Sequence, residues 1–241
     1  MRTMRGGMLM IMLGATLACA QLEAATYNLV TQFNTSINPS ASTVFSYGLG
    51  AAGSGSFTAD GIANLNLACF GNLTACISNN TTYPNSDSKV WNGSGAVILN
   101  PSFPNVSYPT DSIQMDPQGT VGDIVRFTAP VSGIYSVSGQ FNTQDTNHAT
   151  TAVFVEMNNT TQLLSGSLGS SGSNVAINLS SISLTAGNTL DFVVFGTSGS
   201  TNQGSGLQGT ITGPSVSGTP EPGTLALVGL ILPAIWLRRR Q

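Results

Sequence analysis

Ile134-Tyr135-Ser136-Val137-Ser138-Gly139-Gln140-Phe141 is the stretch on which the fold turns. Tyr135, Val137 and Phe141 fall on one side of a two-residue repeat, and Ser136, Ser138 and Gln140 fall on the other. Only a pleated strand with one face in a core and one in water asks for that period. Working outward, Thr151-Ala152-Val153-Phe154-Val155-Glu156-Met157 is apolar on nearly both faces, as a central strand is. Val175–Leu179, Leu190–Phe195 and Leu207–Ile211 carry strand patterning, as do 27–33, 43–48, 55–59, 96–99, 112–116 and 121–127. Ala129-Pro130-Val131-Ser132-Gly133 and Thr185-Ala186-Gly187-Asn188 punctuate the runs as turns. No interior stretch holds an apolar stripe at helical spacing over three turns. About eleven short strands in one domain predict an all-β, two-sheet sandwich of the jelly-roll kind. A β-helix is the alternative, but no fixed repeat period is present.

The composition narrows the function classes. Charged residues are 7% of the 241, against roughly 25% in an average soluble protein. With 41% hydrophobic residues and low charge, the chain does not have the makeup of a disordered one. Seven cations in all cannot build a surface for phosphate backbones, so no nucleic-acid partner is expected. Five of the seven sit at the ends, at Arg2, Arg5, Arg238, Arg239 and Arg240. Lys89 and Arg126 are the only cations between, facing the eight acids Asp60, Asp87, Asp111, Asp116, Asp123, Asp145, Glu156 and Asp191.

The two ends read as topogenic. Arg2 and Arg5 precede an apolar run from Met8 to Cys19, and Ala18-Cys19-Ala20 offers a small-residue cut after Ala20. Residues 1–20 are therefore read as a signal peptide, with a second cut site after Ala24 or Ala25. The run of about 12 residues spans only ~18 Å as a helix, short of a ~30 Å bilayer core, which argues against a permanent anchor. At the other end, Pro220-Glu221-Pro222 precedes an apolar segment from Gly223 to Leu237, then Arg238-Arg239-Arg240. Arginines beside an apolar segment stay on the cytoplasmic side, so both ends are held in and the middle goes out. The expected organisation is a signal peptide at 1–20, a sandwich domain at 26–213, a linker at 214–222 and an apolar, Arg-ended tail at 223–241 forming a short helix.

The tripartite order of that tail resembles the PEP-CTERM sorting signal of bacterial surface proteins, over about the last 22 residues. The resemblance implies an exosortase that cuts near Pro220, Glu221 and Pro222, with Arg238 to Arg240 as the stop signal. It also implies signal peptidase and transient contact with the inner membrane during export, and delivery to the cell surface or matrix. Val125-Arg126-Phe127-Thr128-Ala129-Pro130-Val131-Ser132-Gly133-Ile134-Tyr135-Ser136-Val137-Ser138-Gly139 is similar to a strand–turn–strand of galactose-binding-like jelly rolls and other bacterial surface sandwiches. Leu184-Thr185-Ala186-Gly187-Asn188-Thr189-Leu190-Asp191-Phe192 is similar to the next element of such modules. This second resemblance speaks to fold rather than to function.

In an oxidising compartment Cys69 and Cys76 form an even pair once Cys19 leaves with the signal peptide, and a bridge would contribute ~2–3 kcal/mol. No catalytic residue is assigned. His148 is the only histidine and reads as a solvated loop residue; the interior acids are scattered singly and read as turn caps or solvated groups. The loop Asn142-Thr143-Gln144-Asp145-Thr146-Asn147 is rich in oxygen donors, so a structural calcium ion held by Asn142, Asp145 and Asn147 is a candidate. Tyr47, Tyr83, Trp91 and Tyr108 lie in polar, Gly- and Pro-rich segments and are the candidate exposed aromatics for glycan contact. The expected role is a structural or glycan-binding component of an extracellular polysaccharide layer; a secreted enzyme acting on polysaccharide is the alternative.

Overall fold

A computed structural model describes residues 24–33, 44–51, 56–60, 107–117, 121–196 and 202–215, and the backbone alone of 62–63, 75–78, 88–91 and 98–99. The signal segment, Cys69, Tyr83, Pro220 to Pro222 and the apolar tail with Arg238 to Arg240 lie outside the described residues. Within them the chain is all β. The strands are β1 (Ala24–Asn28), β2 (Phe45–Gly50), β3 (Thr58–Ala59), β4 (Ile62–Ala63), β5 (Ala75–Ser78), β6 (Ser88–Trp91), β7 (Ile98–Leu99) and β8 (Ser107–Tyr108). There follow β9 (Ile113–Asp116), β10 (Gly122–Thr128), β11 (Gly133–Thr143), β12 (Thr151–Met157), β13 (Thr161–Leu168), β14 (Asn174–Leu184), β15 (Thr189–Phe195) and β16 (Ser205–Pro214).

Two sheets carry the domain. One has the order β14-β11-β16-β9-β6-β5-β4, with β1 also paired to β16; the other runs β13-β12-β15-β10-β2-β3. Their pairings are antiparallel. The alternation in β11 holds as expected: Tyr135, Val137 and Phe141 are buried and their polar neighbours face out. Phe127 of β10 stands at the centre of an aromatic cluster, its ring 5.1 Å from Tyr27, 5.7 Å from Phe45 and 5.8 Å from Tyr135. Burying such rings against Val153, Val155, Phe192 and Ile211 supplies the apolar burial that holds the sheets face to face.

The two expected turns are the places where the chain changes sheets. Residues 129–132 carry it from β10 to β11, and 185–188 carry it from β14 to β15. They lie side by side: Ala129 N donates to Asn188 O (2.8 Å), Gly187 N to Ala129 O (2.9 Å) and Ala186 N to the Ser132 hydroxyl (2.9 Å). Gly187 has φ +88°, which the third position of such a turn requires and a side chain resists.

The first expected strand is displaced. Instead of 27–33, the strand covers 24–28 and the chain then turns. Asn28 ends it, because its Oδ1 accepts from Val30 N (2.9 Å) and Thr31 N (2.8 Å), offering the backbone an alternative to the ladder. The consequence is topological. Ala24 pairs with Pro214 and Ala25 with Gly213, so both ends of the domain leave from one edge of one sheet.

Candidate functional site

The polar residues of interest gather where the end of β11, the loop after it, β9 and the start of β16 meet. Gly206 is the register partner of Asn142 on one side and of Gln114 on the other. The row Asn142–Gly206–Gln114 therefore has two amides flanking a position with no side chain. A Cβ on Gly206 would run into Asn142 Oδ1 and Gln144 Nε2. A Cβ on Gly204 would stand 2.8 Å from Gln114 Nε2 and 3.1 Å from Asp145 Oδ2. Glycine at both positions leaves a slot into which four polar side chains turn.

Three of those side chains are buried, Gln114 and Gln144 at 5% exposed and Asp145 at 2%, and Asn142 is half-buried. Asp145 Oδ2 accepts from Gly204 N (2.8 Å), and Gln144 Nε2 donates to the Ser112 hydroxyl (2.6 Å). The loop is fixed from outside by Gln144 N to Gly204 O (3.0 Å) and Ala149 N to Asn202 O (2.8 Å). Yet no protein donor reaches Gln114 Oε1, Asn142 Oδ1, Gln144 Oε1 or Asp145 Oδ1. Burial pushes the Asp145 carboxyl up to about 6, against a smaller lowering by its bond to Gly204.

Ser205 lies between the two glycines. Its hydroxyl donates to Gln203 O (3.0 Å) and lies 3.2 Å from His148 Nε2 and 3.3 Å from Thr151 Oγ1. His148 is thus buried, not solvated as expected, and burial holds its pKa below the ordinary imidazole value. The reason is local: the backbone bond from Ala149 to Asn202 folds the loop back onto β16.

Other expectations are corrected. Tyr47 and Tyr108 are 1% and 4% exposed, not surface aromatics. Tyr47 lies on the inward side of β2 with Phe45, its ring 4.6 Å from Phe33. Trp91 ends β6 and Cys76 lies in β5, with only their backbones described, so neither a convergence of aromatics nor the Cys69–Cys76 bridge falls within the described residues. Asn142 and Asp145 do reach the slot, whereas Asn147 is exposed. Among the described residues no three His, Cys, Asp or Glu side chains group as metal ligands. The interior acids are not all solvated either. Asp60, Asp123, Glu156 and Asp191 are buried, and Asp123 Oδ2 ties the sheets by accepting from Asp116 N (2.8 Å).

Beside the slot, the outer face of the larger sheet is an array of uncharged polar groups. Asn178, Ser138, Thr210 and Asn28 form one cross-strand row, and Ser136, Thr212 and Thr26 another. Next along β16, beyond the Thr210 row, the Gln208 amide, turned with its NH2 toward Asp111, donates to Asp111 Oδ2 (3.1 Å) and accepts from Gln140 Nε2 (2.6 Å). A recess of about 420 Å³ opens onto this face beside Ser136 and Thr212, with the 61%-exposed Ile134 on its wall.

No family model and no curated protein matches the sequence. Among solved structures, the chain is similar to a Podospora anserina GH26-CBM35 β-(1,4)-mannanase, at 13% identity and a TM-score of 0.30, over 53% of this chain and 26% of that one. It is also similar to the CBM36-1 domain of a multidomain xylanase from the hindgut metagenome of Trinervitermes trinervoides, at 14% identity and a TM-score of 0.29, over 51% of this chain and 86% of that one. A third is a carbohydrate-binding module CBM36 in complex with calcium and xylotriose, at 14% identity and a TM-score of 0.28, over 49% and 88%.

Proposed function

We propose that the chain is an exported surface or matrix protein whose sandwich domain is held briefly at the inner membrane and then released by an exosortase. Once released, the domain serves as a structural or glycan-binding component of an extracellular polysaccharide layer. The observation that carries the export reading is the pairing of Ala24 with Pro214. It lets both apolar, arginine-flanked ends of the sequence approach one patch of membrane without crossing the domain. For the glycan reading, support comes from the outer face built of Ser, Thr, Asn and Gln. Its hydroxyls and amides both donate and accept, as a neutral polysaccharide requires, and its paired rows bear no charge to repel one.

Mass spectrometry of protein recovered from the surface tests the first part: the mature chain begins at Gln21 and lacks Arg238-Arg239-Arg240. Recovery with the arginines intact overturns it. Polysaccharide pull-down tests the second, with retention lost in Gln140→Ala/Gln208→Ala. Turnover of a polysaccharide that Asp145→Ala or His148→Ala abolishes would replace binding by enzymatic action.

A further inference from the structure

We propose that the recess beside Ser136 and Thr212 binds a neutral sugar residue that carries a methyl group, N-acetylated or 6-deoxy, with the methyl seated on Ile134. This deepens the glycan reading and rests on it. The recess has a structural cause. Tyr135 pairs with Ile182 and Val137 with Leu179, so Ser136 stands opposite two residues of β14, Ser180 and Ser181. Such a bulge bends its strand and re-aims the side chains beside it. The hollow of about 420 Å³ is lined by Ser136 and Ser181, and its size falls within the range of pockets that take discrete small ligands.

The lining selects the ligand. Ile134, 61% exposed, and Pro214 supply an aliphatic part, while Ser132, Ser136, Ser181 and Thr212 bring hydroxyls that both donate and accept. No lining residue is charged, so an acidic or amino sugar would find no counter-charge. Tyr135, the one ring at the recess, is 1% exposed and its hydroxyl donates to Val131 O (2.7 Å), so it offers no face on which a sugar ring can stack. A branched aliphatic end beside hydroxyls suits instead a methyl group carried on a polar ring.

The backbone at Ser181 supports the assignment independently. It holds φ +59°, a conformation that disfavours a serine and that glycine adopts freely. A strained residue kept at the wall of a cavity points to function, and the hydroxyl is what glycine there would lack. From the recess the pairs Ser138–Thr210 and Gln140–Gln208 continue along β11 and β16. A polysaccharide lying on that face can therefore seat one methyl-bearing residue in the recess.

Saturation-transfer NMR on the exported protein tests this with chitotriose, which carries N-acetyl groups, a trisaccharide ending in rhamnose, which carries a 6-deoxy methyl, and cellotriose, which has neither. Transfer should be strongest to the methyl protons, and a methyl-bearing probe should bind about fourfold or more tighter than cellotriose. Which of the two does so identifies the source of the methyl. Ile134→Ser, at an exposed position, should bring that probe down to the cellotriose level. Ser181→Gly should weaken it about two- to tenfold while melting no lower than the parent, a combination that a merely structural serine would not give. Equal binding of the three probes, binding of none, or a preference that Ile134→Ser retains overturns the site, and unchanged binding in Ser181→Gly overturns the serine's part in it. If the site fails while polysaccharide pull-down still succeeds, the outer face binds glycan without the recess; if pull-down fails too, the glycan reading falls with it.

Discussion

Arg126 and Asp191 form a two-point ion pair across β10 and β15, with Nε 2.6 Å from Oδ1 and Nη2 3.1 Å from Oδ2. Asp191 is fully buried, and Thr189 Oγ1 donates to the same carboxylate (3.2 Å). The guanidinium also lies 3.9 Å over the Phe57 ring. In a chain with two cations between its ends, one is committed to this pair. Removing the arginine strands a buried charge, whose cost exceeds the net worth of the intact pair. Arg126→Met is expected to destabilise the domain by about 3 kcal/mol, near the low end because the arginine keeps some water contact. Urea denaturation checks this; a loss under about 1 kcal/mol would show the pair to be incidental.

Ser181 offers a gain rather than a loss. Tyr135 pairs with Ile182 but Val137 with Leu179, so β14 carries an extra residue in a bulge. Ser181 sits there at φ +59°, exposed. A left-handed conformation costs a non-glycine residue about 1–2 kcal/mol, and glycine gives back part of that in unfolded-chain entropy. Ser181→Gly should stabilise by roughly 0.5–1 kcal/mol, read as a higher urea midpoint with unchanged slope. A lower midpoint would mean that the serine makes the bulge rather than tolerating it.

That bulge also marks the reach of sequence reading. Val175, Ile177 and Leu179 alternate inward, and the parity then flips to Ile182 and Leu184. Period-two patterning accordingly reads Val175–Leu179 and misses the remainder of β14. Strand β13 (Thr161–Leu168) went unread because an edge strand buries little and need not be apolar. Tyr47 was legible: Phe45, Tyr47 and Leu49 alternate with Ser46 and Gly48, a stronger signal than the surrounding glycines that suggested exposure. For the slot, the oxygen-rich loop exposes Asn142, Gln144 and Asp145. Gln114 and Gly206 come to them through strand register, and Gly204 through its backbone bond with Gln144, neither of which carries a local signature.

His148 should make stability depend on acidity. Its folded pKa lies below its unfolded value because burial disfavours the imidazolium, with the backbone carbonyls of Gly169 and Gln203 opposing in part. The neutral ring's contribution is complete above the unfolded pKa of about 6.5 and is lost as pH falls from there through the lower folded value. Asp145 acts with the opposite sign, since a raised carboxyl pKa is relieved by acid. The difference between His148→Gln and the parent isolates the imidazole. Between pH 7.5 and 5 the parent should lose stability relative to the variant, by parallel urea melts. Parallel pH profiles would show that His148 titrates normally in the fold.

The strand pairing at the chain's edge discriminates between the two signal-peptide cuts. A cut after Ala20 leaves β1 whole, whereas a cut after Ala25 removes Ala24 and Ala25, the partners of Pro214 and Gly213. What remains of β1 still places Tyr27 against Phe127, so the domain should fold in either form. The shorter form gives up the ladder bonds of two residues at about 0.5–1.5 kcal/mol each, and these include the pairing nearest the linker. A chain starting at Gln21 should therefore exceed one starting at Thr26 by about 1–2 kcal/mol in urea. Amide exchange at Thr212 and Gly213 should be faster in the shorter form, because opening at a strand end is local and precedes global unfolding. Equal midpoints and equal exchange in the two forms would mean that the first turn of pairing contributes nothing. In that case the edge where both ends leave the domain would be frayed rather than closed.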